Sequence, residues 1–520
     1  VYPPGKEDLA PFALEIGAFS LRYFTEYFDI AYPGDKVDLI AIPDFAFGAM
    51  ENLGCITFRE TALLVDPATA SRLEVERVVD VVAHEMAHMW FGDLVTMDWW
   101  EGIWLNEAFA TFMEIKCTDA FRPGWSRWVT FGIEREAAMA VDGMHSTRPI
   151  EFEVVSPNDA RGMFDVLTYQ KGGSVLRMLE QYLGEDTFRD GIRRYLTTHA
   201  YANTVTKDLW SALSEASGQD VGAIMDTWIL QGGHPLVRVE NGQLSQTPFA
   251  YGPATGDSAI GSRWKIPMLT RPLGGGPTTA SILEGPESIY PVTLVNAGGT
   301  GTYRTAYGEV ELQAVAGAIN ELEPLERFTL IADTWAAAQA GHAAVADFFR
   351  LALSLGTAIE PSVWSVVAGA LSTTSRLIAE EDRPALEALA RRLGGGLLEV
   401  LGTEAVPGED EKAPTLRATA LSMAGGLGAD PQIRAWASEH FAADDVTGDL
   451  AGAVLGIMGA QGHEADFVTM LNRLEATTNP QIEDRYQLGL TTFASEELSL
   501  RAFEVCLSVL RTQDAPLSLI

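Results

Sequence analysis

The stretch from Leu73 to Phe91 constrains this chain more than any other. Val75, Val78, Val79, Val82, Met86 and Met89 recur at spacings of three and four, which predicts a helix with an apolar face. Ser71 and Glu74 are placed to form its capping box, and Gly92 to end it. Into this apolar helix the sequence inserts His84, Glu85 and His88. Four residues are a little over one helical turn, so the two imidazoles project from the same face.

Two imidazoles alone do not fill a tetrahedral Zn2+ site; a catalytic site takes three protein ligands and a water. Glu107 is the candidate third ligand. It follows His88 by 19 positions and sits near the start of a second predicted helix, Asn106 through Cys117. The aromatic loop containing Trp99, Trp100 and Trp104 lets the chain reverse and pack that helix alongside the first. Glu85 is rotated about 100° from His84, so it reaches a metal's water more readily than the metal. A carboxylate there can take the water's proton and deliver it to a leaving nitrogen. Glu114 lies two turns beyond Glu107, placed either to hydrogen-bond a ligand histidine or to stand as an ordinary solvated or packed carboxylate. The bare two-histidine motif also arises in structural helices; the glutamate at the right distance, followed by Ala108-Phe109-Ala110-Thr111, favours the metal.

The chain has 520 residues, more than one hydrophobic core usually organises. Its texture changes twice. Residues 1–235 mix helical periodicity with a few strand-like runs and hold every chemical motif. Residues 236–314 carry short β-prone runs (Leu236 to Val239, Trp264 to Met268, Tyr290 to Val295, Gly301 to Tyr307) between Gly, Pro and Ser turns, which predicts a small β-sandwich. Residues 315–520 are rich in Ala and Leu, with punctuation at Pro361, Gly394 to Gly396, Pro407 and Pro431, which predicts a helical array. A formal charge of −35 repels phosphates, so nucleic acid is excluded as a partner. No run of 18 apolar residues occurs, so no membrane span is expected. Three scattered cysteines make no disulfide framework and lean towards a reducing cytoplasm.

With these motifs in order, the chain resembles the aminopeptidase N family of zinc metallopeptidases. The resemblance rests on His84-Glu85-Met86-Ala87-His88, on Trp90 to Met97, and on Trp104-Leu105-Asn106-Glu107. Upstream, Gly48-Ala49-Met50-Glu51-Asn52 is similar to the family's exopeptidase motif, and Phe164 to Gly172 resembles its catalytic tyrosine segment. More weakly, Trp264 to Pro267 and Tyr303 to Tyr307 resemble its β-sandwich. The resemblance implies a multidomain α+β architecture: a thermolysin-like catalytic domain, a small β-sandwich, then an all-α helical array. It implies one Zn2+ per chain, bound by His84, His88 and Glu107, and peptide substrates with a free N-terminus. It gives Glu51 the substrate's ammonium group, Gly48 and Ala49 its backbone, Met50 part of the side-chain pocket, and Tyr169 the oxyanion. Tyr169 is expected to open a helix running to Tyr182, Lys171 and the following glycines to be structural, and His234 to be a turn residue at a domain junction.

Family members usually begin with a large β-domain that this sequence lacks, and its end resembles a segment well inside their helical domain. A fragment cut at both ends is the expectation. An epoxide-opening relative on the same scaffold usually has Gly at the position of Ala49. A catalytically silent scaffold typically loses ligands, whereas His84, His88, Glu107, Glu85 and Tyr169 are all present.

Overall fold

A computed structural model describes residues 1–252, 262–289, 293–356, 360–511 and 514–515. The chain divides into two compact units, one formed by residues 1–18, 36–82 and 356–520, the other by residues 19–35 and 83–355. Among the described residues no helix is long and apolar enough to cross a membrane.

In the first unit, strands β1 (Asp38–Ile42), β2 (Ala49–Met50) and β3 (Cys55–Arg59) form a sheet in the order β1-β3-β2. Their Ile, Thr and Phe residues suit a pleated, half-buried surface. β1 runs parallel to β3, and β2 pairs antiparallel to it at the edge, Ala49 opposite Phe58 and Met50 opposite Thr57. Among the described residues from 360 onward this unit is mainly helical, from Pro361–Leu377 to Glu496–Ser508. Pro361 and Pro431 each occupy a first helical position, where a missing N–H costs nothing. Leu421, Phe441, Val454, Ile457, Phe467, Met470 and Phe493 form a shared apolar core in the array. Gly394 to Gly396 differ from expectation: they lie inside the helix Arg383–Leu401 and do not end it. A Cβ on Gly394 would stand 2.6 Å from the Ala420 carbonyl oxygen, so this glycine serves a close helix crossing.

The chain crosses between units within helix α2, which follows α1 (Pro11–Phe28) and spans Arg72–Ala87. α2 stops before Phe91, earlier than the periodicity suggests. The second unit holds β4 (Val95–Met97), α3 (Trp104–Phe121), α4 (Arg127–Asp142), α5 (Pro157–Gly162), α6 (Gly172–Leu183) and β5 (Ala202–Thr204), which pairs parallel to β4. α3 is buried on nearly every side, as expected of a helix so apolar around its circumference. Only Trp104 of the three loop tryptophans packs inside; Trp99 and Trp100 are exposed.

Two small sheets follow. One has β6 (Pro235–Glu240), β7 (Gln243–Pro248), β10 (Glu287–Ser288) and β12 (Arg304–Tyr307); the other has β8 (Ile266–Pro272), β9 (Thr279–Leu283) and β11 (Thr293–Val295). The expected strand from Tyr290 is seen only as β11, because residues 290–292 lie outside those described. Helices resume at Glu309–Gly317. The molecule is thus a mixed α+β structure with a large all-α array at its C-terminal end.

Candidate metal centre

Helix geometry builds two-thirds of the centre. His84 lies in the last turn of α2 and His88 just beyond it, with the His88 N–H still donating to the His84 carbonyl at 3.2 Å. α3 supplies Glu107 from its first turn. His84 Nε2 and His88 Nε2 are 3.1 Å apart, and Glu107 Oε2 is 3.3 Å from each. Among the described residues these three form the one cluster of potential metal ligands. Donors bound at about 2.0–2.1 Å to a tetrahedral zinc lie about 3.3 Å from one another, so the triangle fits that ion. The donor set, two imidazoles and one carboxylate, is also that of a hydrolytic zinc site.

Electrostatics agree. Burial works to raise the Glu107 carboxyl, yet the His88 charge and the hydrogen bonds of both histidines hold it well below the usual carboxylate range. Burial likewise opposes a charged His84, and the bonds to Glu107 and Glu114 overcome it, raising its pKa well above the ordinary imidazole value. Carboxylates on both sides of one imidazole favour positive charge at this point, which a divalent cation supplies.

The remaining ring nitrogens fix the orientation. Glu114 Oε2 lies 2.6 Å from His84 Nδ1, so of the two readings of Glu114 the structure selects the one that supports a ligand. His88 Nδ1 donates to the Phe91 carbonyl at 2.9 Å. With both Nδ1 positions used in this way, both Nε2 lone pairs face the triangle. The Phe91 carbonyl was not foreseen, because a backbone acceptor leaves no residue-type signal.

Glu85 is buried beside the triad at 5% exposure. Tyr169 sits in a single π-helical turn, Leu167–Lys171, instead of opening an α-helix. Its ring stacks on that of His84, centroids 5.9 Å apart and planes inclined by 17°. The structure therefore brings together His84, Glu85, His88, Glu107 and Tyr169.

Comparison with known proteins agrees with this geometry. Residues 12–228 match the family described as "Peptidase family M1 domain", and residues 292–520 match "ERAP1-like C-terminal domain". The chain has the architecture of the M1 peptidases. It is 34% identical over 530 residues to a "Puromycin-sensitive aminopeptidase" of Caenorhabditis elegans, covering 96% of this chain and 56% of that protein. It is 35% identical over 456 residues to "Aminopeptidase 2" of Candida albicans, covering 84% of this chain and 49% of that protein. A "Leucyl aminopeptidase" of Saccharolobus solfataricus is 39% identical over 361 residues, covering 67% and 44%. The chain spans about half the length of these curated relatives.

Gly48, Ala49, Met50, Glu51 and Asn52 belong to the other unit, on and beside edge strand β2. Gly48 lines a cavity of about 860 Å³ in that unit, together with Glu74, Arg77, Asp449 and Arg485. Met50 is exposed and Glu51 half-buried. His234 stands directly before β6 and is fully buried, with Nδ1 3.2 Å from Asp142 Oδ2.

Proposed function

We propose that this chain is the catalytic part of a zinc-dependent aminopeptidase that releases the first residue of peptides with a free amino end. The observation that carries the reading is the convergence of His84 Nε2, His88 Nε2 and Glu107 Oε2 within 3.3 Å of one another. Bound Zn2+ would supply a Lewis acid that lowers the pKa of water from about 15.7 towards about 7. Glu85 takes the proton of the attacking water and delivers it to the departing nitrogen. Tyr169 donates its hydroxyl to the oxygen that gains negative charge, a contribution of about 10²–10³ in rate. Glu51 binds the substrate's ammonium group; a charge-assisted hydrogen bond of this kind contributes about 1.5–3 kcal/mol. Gly48 and Ala49 offer the free edge of β2 to the substrate backbone, as in strand addition. A fixed ammonium site makes the first peptide bond the one in register, which favours trimming over internal cleavage.

The same reading divides the chain into a catalytic domain over residues 1–235, a β-sandwich over 236–314 and a helical domain over 315–520. The run of strands from Pro235 to Tyr307 followed by helices from Glu309 supports it. We also place the protein in the cytoplasm; none of Cys55, Cys117 and Cys506 is in a disulfide, which suits a reducing compartment.

The test is a panel of unblocked and N-acetylated peptides. Free amino acids are released from the unblocked set alone, a chelator stops release, and Glu85→Gln abolishes it while leaving zinc bound. Equal cleavage of acetylated peptides would remove the role of Glu51. Undiminished activity of Glu85→Gln would overturn the reaction.

A further inference from the structure

Around Tyr169 the second unit concentrates polar groups that the reaction does not use. Lys171 is fully buried, its side chain 0% exposed, and its ammonium donates to Asp142 at 2.9 Å and to the Gly233 carbonyl at 3.1 Å. Asp142 is the last residue of α4 and is equally buried. It also accepts from the Gly233 N–H at 2.9 Å and from Thr147 Oγ1 at 2.7 Å, with His234 Nδ1 3.2 Å away. Burial alone raises this carboxyl, but the Lys171 charge and the His234 bond hold it far below the usual range. The two side chains thus form an ion pair closed off from the protein surface.

Stability is a poor reason for such a pair. Replacing a buried ion pair by packed apolar groups is often neutral or stabilising. What a buried, fully bonded pair does supply is a fixed geometry. Here that geometry is the end of the π-turn, where the Lys171 N–H reaches back to the Val166 carbonyl at 2.9 Å. The extra residue in that ring rotates Tyr169 relative to α6. The front of the turn is clamped separately: Asp165 accepts from the Leu167 N–H at 2.9 Å and from Arg148 at 2.5 Å. Behind it, a Cβ on Gly172 would lie 2.5 Å from the Cβ of Ala108, the residue after Glu107, so the start of α6 packs its backbone against the Ala108 methyl of α3.

We propose that Lys171, through its ion pair with Asp142, is a positioning residue that sets where the Tyr169 hydroxyl stands in the reaction. The proposal rests on the reading of Tyr169 as the oxyanion donor. A misplacement of about 1 Å costs on the order of 10²-fold in rate.

The test uses the full zinc-loaded chain and four proteins: wild type, Lys171→Met, Tyr169→Phe and the two changes combined. Lys171→Met is expected to lower kcat roughly 10- to 100-fold with KM little changed. In the Tyr169→Phe background the same change costs less than about twofold, since the group it positions is gone. In protein labelled with fluorotyrosine, the 19F line that Tyr169→Phe deletes is sharp in the wild type and broadens or splits in Lys171→Met. Should Lys171→Met fail to fold, Asp142→Asn with Lys171→Met removes both charges and enters the same comparison. An equal loss in both backgrounds, or an unchanged kcat, overturns the positioning role while leaving the Tyr169 reading intact. Full activity of Tyr169→Phe overturns both.

Discussion

Replacement of Glu114 tests whether zinc affinity depends on how His84 is held. The Glu114 carboxylate lies 2.6 Å from His84 Nδ1, and each side chain is 11% exposed. Glu114→Gln keeps the length and one acceptor oxygen but removes the charge. A hydrogen bond to a charged group contributes about 1.5–3 kcal/mol and a neutral one about 0.5–1.5 kcal/mol, so the change costs about 1–1.5 kcal/mol. That is roughly five- to tenfold in zinc affinity. Glu114→Ala goes further, because the buried Nδ1–H then has no acceptor, and a loss approaching 100-fold is expected. His88 is an internal control: its Nδ1 donates to the Phe91 carbonyl, which neither change touches. The assay is competition between the metal-free protein and a chromogenic chelator of similar affinity at neutral pH. The expected order is wild type, then Gln, then Ala. Identical affinities for all three would show that ligand orientation does not depend on Glu114 and would refute the reasoning. A Gln variant as weak as Ala would refute the charge argument while sparing the hydrogen bond.

Two further outcomes follow from packing and charge. Gly172→Ala forces a methyl to within 2.5 Å of Ala108, and overpacking of this kind costs about 1–3 kcal/mol; Tm should fall, and zinc affinity with it because Glu107 is the neighbouring residue. An unchanged Tm would mean the two helices have room that the structure does not show. Asp484 in the helical array is pushed up from 3.8 to about 7, by burial first and then by Asp514. The folded chain therefore holds that proton more tightly than the unfolded chain, and stability falls as pH rises from about 4 to about 7. Asp484→Asn removes this dependence, so the Tm advantage of the variant should widen across that window; parallel Tm profiles would sink the argument.

The part of the centre that was legible in sequence is the part that helix geometry places. His84 and His88 come together because four residues make just over one turn, whatever else the chain does. Glu107 needed one more step, a reversal between two helices, and α3 begins at Trp104, earlier than the periodicity alone marked. The broad architecture was legible for a similar reason, since strands with Gly and Pro turns and helices opened by Pro361 and Pro431 announce themselves locally. β2 has only two residues, too few for any period, so it was reached only through resemblance.

What sequence did not yield is the support, and the cause is distance along the chain. Asp142, Lys171 and His234 are separated by 29 and 63 positions, yet meet within 3.2 Å. No window of ten or twenty residues contains two of them; alone, Lys171 reads as structural, His234 as a turn residue, and Asp142 carries no signal. Gly394 misled for a related reason: a run of glycines looks like a stop unless the backbone of Ala420, 26 positions on, is known to press against it. A π-turn is similarly invisible to a search at period 3.6, because it is a one-residue excess that only the hydrogen bond from Lys171 to Val166 records. Chemistry thus sits on a short-range pattern, while its positioning is held by contacts closed over long loops. Substitutions at Asp142 or His234 should therefore disturb the proposed reaction without altering any motif by which it is recognised.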